Sequence, residues 1–283
     1  MQLLLLALVP LALAAPLLQR DSPAPTAASA ATLEIYAAPA GFSRDAYCTN
    51  LAVGSKVGDD GQVLWLTGDG RKTQRVYVAR SPSRGIVVAH QGTNTSSLFS
   101  LLNDGDFIRD ARDTRLDFLG SDASVSGGFQ DAWLDTADAV LAQVRAALLT
   151  YPGSRVLVTG HSLGASISLL DAAYLRHETG AEIDTVLFGL PRSGNDAFAD
   201  GIDAILPAQR HLSHYRDPIP HLPGKSFGYQ APSGEVWLDD SGNYGVDCGG
   251  QENDKCSNSV HFYQYDRDDH KGPYVGVTMG CGA

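Results

Sequence analysis

Apolar and polar positions follow two rhythms along most of this chain. "RVYVAR" (75–80), "GIVVAH" (85–90), "SRVLVTG" (154–160) and "IDTVLFGLP" (183–191) are short and rich in β-branched side chains, so each predicts a strand. The first two are joined by "SPSR", a turn, and their nearly unbroken apolarity belongs to strands covered on both faces. The second rhythm is helical. In "GGFQDAWLDTADAVLAQVRAALLTYPG" (127–153), Phe129, Ala132, Trp133, Thr136, Val140, Val144 and Leu148 recur at helical spacing before Pro152 and Gly153 close the segment. "LGASISLLDAAYLRHETG" (163–180) predicts a helix stopped by Gly180. Further on, "RHLSHYRDPIPHLPG" (210–224) predicts a strand running into a proline-rich loop, "YQAPSGEVWLDD" (229–240) a hairpin, and "VHFYQY" (260–265) a strand. Strands alternating with helices predict an α/β fold, with a mostly parallel central sheet and helices on both faces. No internal repeat or linker interrupts residues 33–283, which read as one domain.

The N-terminal pattern is different. Leu3 to Leu13 is apolar but too short to span a bilayer, and it adjoins the small residues Ala12, Ala14 and Ala15. Residues 1–14 therefore read as a secretory signal cleaved after Ala14, although its n-region lacks Lys and Arg. Residues 15–32, rich in Pro, Ala and Ser, read as a pro-segment or flexible arm without a core of its own. No later stretch is apolar enough to cross a membrane, so an extracellular protein without integral membrane association is expected.

Charge narrows the picture further. The 283 residues carry 32 acidic and 21 basic side chains, a net charge of −11, which argues against nucleic acid and against electrostatic attachment to anionic membranes. The four cysteines, Cys48, Cys248, Cys256 and Cys281, fit two disulfides in an exported chain, with three pairings possible. Cys248 and Cys256 bracket a short Gly/Asn/Asp loop and form the natural local pair, leaving Cys48 and Cys281 to tie the ends of the domain. In the loop-entropy account so long a closure contributes roughly 4–5 kcal/mol. No C-x-x-C spacing favours zinc, and no glycine-rich phosphate loop appears, so neither metal nor cofactor is expected.

One stretch cannot be explained by secondary structure alone. Gly160-His161-Ser162-Leu163-Gly164 places a serine between two glycines where the strand meets the helix. Both glycines weaken any regular element, so the turn exists to expose the hydroxyl, with helix amides aimed at the same point. Such a serine needs a base and an orienting acid, which follow in the order Asp or Glu, then His. Asp217 ends the strand pattern "RHLSHYR" and is held by Pro218 and Pro220, whereas Asp196 and Asp203 lie in a polar helical stretch and read as solvated. Of the later histidines, His221 is four residues from Asp217 and reads as a buttress of that loop. His261 falls in a strand pattern, and His270 lies in the polar loop "DRDDHKGPY", free to reach Ser162. Activity would then depend on His270 being neutral to accept the proton. The acids beside it, Asp266, Asp268 and Asp269, read as a solvated loop rather than a metal site.

These pieces together resemble the class 3 (fungal) lipase family, which also includes fungal feruloyl esterases. "VTGHSLGAS" resembles its elbow, "GLPRSGNDAFA" (189–199) its G-x-P-R-x-G segment, "YRDPIPHLP" its acid loop and "DHKGPYVGVTMGC" its C-terminal tail. The resemblance spans about residues 48–281 and implies an α/β-hydrolase fold with a small lid helix. It implies Ser162, Asp217 and His270 as nucleophile, acid and base, and disulfides Cys48–Cys281 and Cys248–Cys256. It also implies an oxyanion hole from the backbone amides of Thr93 and Leu163. The family usually has Arg where this chain has Gln91, and often a histidine where it has Ser126. The lid would be "SSLFSLLNDGDF" (96–107), whose Leu98, Phe99, Leu101 and Leu102 make one apolar face suited to a lipid surface. Feruloyl esterases of the family tend to be polar there, so the expected substrate is an acylglycerol ester at an oil–water interface, with feruloyl esters the alternative. An acyltransferase or a non-catalytic lipid or cell-wall binder is less favoured. Asn94-Thr95-Ser96 is the one N-glycosylation sequon.

Overall fold

A computed structural model of the chain describes residues 22–93 and 109–282. The expected signal peptide (1–14), the lid residues Leu98, Phe99, Leu101 and Leu102, and the sequon at Asn94 lie outside the described residues. Twelve strands are described: β1 (Thr26–Ala27), β2 (Lys56–Val57), β3 (Gly61–Thr67), β4 (Val76–Ser81), β5 (Gly85–His90), β6 (Arg109–Ala111), β7 (Ser124–Ser126), β8 (Val156–His161), β9 (Ile183–Phe188), β10 (Arg210–His214), β11 (Glu235–Leu238) and β12 (Gly245–Asp247). Ten of them form one sheet in the order β1-β12-β11-β10-β9-β8-β5-β4-β3-β2, and β6 pairs with β7. The central run β5-β8-β9-β10-β11 is parallel and the flanks are antiparallel. The β4–β5 flank is the hairpin read from "SPSR".

Side chains two apart share a face, and the sheet uses both. Val76, Val78, Ile86, Val88, Val156 and Val158 pack under the helices Gly127–Leu134, Ala137–Thr150, Leu163–Thr179 and Asp196–Ile205. Tyr77, Ala79, Val87, Ala89 and Leu157 face the other way, onto Phe42 of the helix Ala37–Asp45. Coverage of both faces is why these runs are apolar at every position. Among the described residues, no helix is long and apolar enough to cross a membrane.

Four expectations need correction. The segment 127–153 is not one helix: it breaks between Leu134 and Ala137 at the buried Thr136, whose φ is −131°. The apolar stripe runs through the break, so periodicity alone joins the two pieces. The arm expected over 15–32 is docked where it is described. Thr26–Ala27 pairs with β12, and the Ser22 and Pro23 carbonyls accept from Lys255 and Asn253. It covers an edge that would otherwise leave backbone groups unpaired. The hairpin read at 229–240 does not form within that segment: Gln230 bridges Gly194, and β11 takes β12 as its antiparallel partner while lying parallel to β10. "VHFYQY" is not a strand: Phe262–Gln264 forms a single 3-10 turn, and Phe262 and Tyr263 are exposed.

Candidate active site

β8 enters the helix Leu163–Thr179 through a single residue, Ser162, whose φ of 63° and ψ of −132° lie where a non-glycine residue is strained. Two flanking glycines make this turn possible. A Cβ on Gly160 would lie 2.3 Å from the Gly164 carbonyl oxygen, and one on Gly164 would lie 2.5 Å from that of His90. The Ser162 amide is held by the Phe188 carbonyl at 2.9 Å. Ser162 supplies no side-chain cap to the helix it precedes, which leaves its hydroxyl for other work.

Asp217 lies three residues beyond β10, in a tight turn closed by its amide on the His214 carbonyl at 2.9 Å. Its Oδ1 accepts from the Ile219 amide at 2.8 Å, and its Oδ2 lies 2.8 Å from Nδ1 of His270. Both side chains are 1% exposed. A ring nitrogen facing a carboxylate carries the hydrogen, so Nε2 of His270 keeps its lone pair. The ring lies against Gly189, where a Cβ would come within 2.8 Å of His270 Cε1. Gly189 follows Phe188, the residue that holds the Ser162 amide. Ser162 Oγ and His270 Nε2 are both buried and have no hydrogen-bond partner among the described residues. A proton donor and a proton acceptor therefore wait unused at one end of the sheet.

The third side of the site comes from the loop after β5. Gly92 passes so close that a Cβ on it would be 2.9 Å from Ser162 Cβ, which brings the partly buried Thr93 to the site's edge. Leu163 begins the helix on the opposite side. Gln91, which replaces the usual arginine, accepts from Arg75, itself nearly buried, at 3.4 Å. A guanidinium thus reaches this corner from Arg75, the residue before β4, a contact that spacing along the chain could not reveal.

The remaining candidates separate from these. His221 stacks on Tyr265 at 4.7 Å between ring centres, and its carbonyl accepts from Arg192. His261 is exposed and stacks on Tyr263. Asp196 is exposed as expected, but Asp203 is not merely solvated: it accepts from the Ser233 amide and hydroxyl and from Gln251. Asp266 accepts from the Asp268 amide, and Asp269 from the Arg216 amide beside Asp217. Cys48 is bonded to Cys281 and Cys248 to Cys256.

Buried imidazoles give the fold an acid sensitivity. Burial, reinforced by the Arg192 charge, lowers His221 to about 4. Burial likewise lowers His211 to about 4, with Glu252 and Asp203 opposing and Arg210 reinforcing the shift. A group depressed on folding stabilises fully above its unfolded value, about 6.5, and loses that contribution as pH falls toward the folded one. Stability is therefore expected to fall from about pH 6.5 to 4. His211→Gln should lose less stability than the parent chain between pH 7.5 and 4.5 in urea titrations; equal losses would remove His211 from this account.

Residues 87–227 match the family model of the class 3 lipases. The chain is 38% identical over 257 residues to a secreted mono- and diacylglycerol lipase of Malassezia globosa, covering 88% of this chain and 83% of that one. It is 35% identical over 252 residues to a secreted mono- and diacylglycerol lipase of Gibberella zeae, covering 84% and 78%. Among solved structures, a lipase from Rhizopus microsporus var. chinensis superposes with a TM-score of 0.79 at 27% identity, covering 93% of this chain and 94% of the other. Lipase II from Rhizopus niveus does so with a TM-score of 0.80 at 26% identity, over 91% and 99%.

Proposed function

The chain belongs to the class 3 lipase family, and on that premise we propose that it is a secreted lipase that transfers acyl groups from acylglycerols through Ser162. The observation that carries the assignment of residues is the pairing of a strained serine, its hydroxyl unpartnered, with a histidine whose far nitrogen is bonded to Asp217. Ser162 Oγ attacks the ester carbonyl carbon as its proton passes to His270 Nε2. Asp217 holds the ring and stabilises the imidazolium. The amides of Thr93 and Leu163 bond to the oxyanion, and the intermediate collapses as His270 gives its proton to the departing glycerol oxygen. Water, deprotonated by the same nitrogen, then attacks the acyl-serine, and as the acyl–oxygen bond breaks His270 returns the proton to Ser162 Oγ and the fatty acid leaves.

The relatives are named as secreted and as acting on mono- and diacylglycerols, which supports export and a preference for partial glycerides. In the sequence, the spacing of the apolar Leu98, Phe99, Leu101 and Leu102 supports action at an oil–water interface. A pH-stat comparison of monoacyl-, diacyl- and triacylglycerol emulsions, of tributyrin across its solubility limit, and of methyl ferulate tests all three points. Partial glycerides should be cleaved fastest, with a rate jump when tributyrin separates as droplets. Faster cleavage of methyl ferulate without that jump would assign the chain to the feruloyl esterases instead.

A further inference from the structure

Three segments far apart in sequence meet through a chain of hydrogen bonds that acyl transfer itself does not use. Tyr47 follows the helix Ala37–Asp45 and precedes Cys48, which is tied to Cys281. Its hydroxyl lies 2.6 Å from Nδ1 of His161, and Nε2 of His161 lies 2.7 Å from the carbonyl of His270. On its other side the Tyr47 oxygen packs against Gly92, where a Cβ would lie 2.4 Å from that oxygen. The Tyr274 hydroxyl donates to the same His270 carbonyl at 3.3 Å.

Donors and acceptors in this chain can be ordered from chemistry alone. A carbonyl oxygen can only accept, so His161 Nε2 carries the hydrogen and Nδ1 is the acceptor. Tyr47 must then donate to Nδ1. The half-buried phenol and the buried imidazole are bonded in one direction, and burial together with the nearby His270 ring holds His161 well below its ordinary value. The imidazole stays neutral and the direction of the chain is fixed.

We propose that Tyr47 and His161 are positioning residues, whose hydrogen bonds, together with the packing of Tyr47 on Gly92, hold the oxyanion loop, the Ser162 turn and the backbone of His270 in one register. The proposal rests on the reading of Ser162, Asp217 and His270 as the reacting groups. Its physical content is alignment: misplacement of a reacting group by about 1 Å can lower a rate on the order of 100-fold. His161 is the residue beside the nucleophile and bonds to the residue that serves as base, so its ring couples the two directly. Tyr47 extends that coupling to the amides that receive the oxyanion. Neither side chain is one of the reacting groups of the proposed mechanism.

Tyr47→Phe removes one oxygen and its hydrogen bond to His161 while keeping the ring. With a soluble p-nitrophenyl ester, and with active sites counted by phosphonate titration, kcat per site is expected to fall roughly 10- to 100-fold with KM nearly unchanged. Counting sites separates misfolded protein from slow protein. His161→Gln retains an amide donor for the His270 carbonyl and should keep more activity than His161→Ala. Adding Tyr47→Phe to His161→Ala should cost little more, because the chain is already broken. A parental kcat per site in Tyr47→Phe, a loss confined to KM, or fully additive losses in the double variant would each overturn the proposal. If Ser162→Ala kept its turnover, the assignment of the nucleophile would fail instead.

Discussion

Ser162→Ala is expected to lower turnover on tributyrin by on the order of 10⁴- to 10⁶-fold while leaving the fold intact. The hydroxyl makes no hydrogen bond to any described residue, so its removal leaves no orphaned partner. Its backbone, with φ of 63°, is held by the flanking glycines and the Phe188 carbonyl, not by the side chain. Asp217→Asn should cost about 10⁴-fold by a different route. An amide nitrogen turned toward His270 forces Nδ1 to accept, so the proton moves to Nε2, where it blocks acceptance from the serine. The two losses should not add, since either one alone ends nucleophilic attack. Turnover measured by pH-stat beside thermal melts decides the matter. Ser162→Ala with more than a hundredth of the parental rate and an unchanged melt would remove Ser162 from the reaction.

Much of this site can be read from the chain because its parts obey local rules. The glycines around Ser162 announce a turn that no helix or strand wants, and the structure returns a strained φ there with backbone packed against both glycines. Asp217 was legible from the prolines after it and His270 from its polar loop, and the two lie 2.8 Å apart. What stayed hidden depends on contacts between distant segments. Tyr47 meets His161 across 114 residues, and Arg75 bonds to Gln91 from the residue before β4. The docking of residues 22–32 was hidden for a similar reason, since composition reports what a segment could bury alone and not the open edge of β12 that it covers. His261 misled in the opposite sense: alternation in "VHFYQY" mimics a strand, but no partner strand pairs with it in the described sheet.

The core beneath the site holds an acid whose loss should cost more than that of an ordinary core residue. Asp171, on the helix Leu163–Thr179, lies 2.6 Å from Nε2 of His90 and accepts from the Trp133 indole at 2.7 Å. His90 and Asp171 are 1% exposed, and Trp133 is fully buried. Asp171→Ala leaves an imidazole and an indole N–H facing each other in an apolar core with no acceptor, and is expected to destabilise the fold by roughly 3–5 kcal/mol. The melting midpoint should drop on the order of 10 °C. Activity at 25 °C should suffer as well, because His90 ends the strand that leads to Gly92 and Thr93, and its carbonyl packs against Gly164. If the cost arises from unpaired polar groups, apolar replacement should recover much of it, as for other buried polar pairs. His90→Phe combined with Asp171→Leu should therefore melt above Asp171→Ala, its volume being filled and only the indole N–H left without a partner. Urea denaturation of the single and double variants tests this. A double variant no more stable than Asp171→Ala would mean that the pair contributes a net attraction that burial of apolar side chains cannot replace.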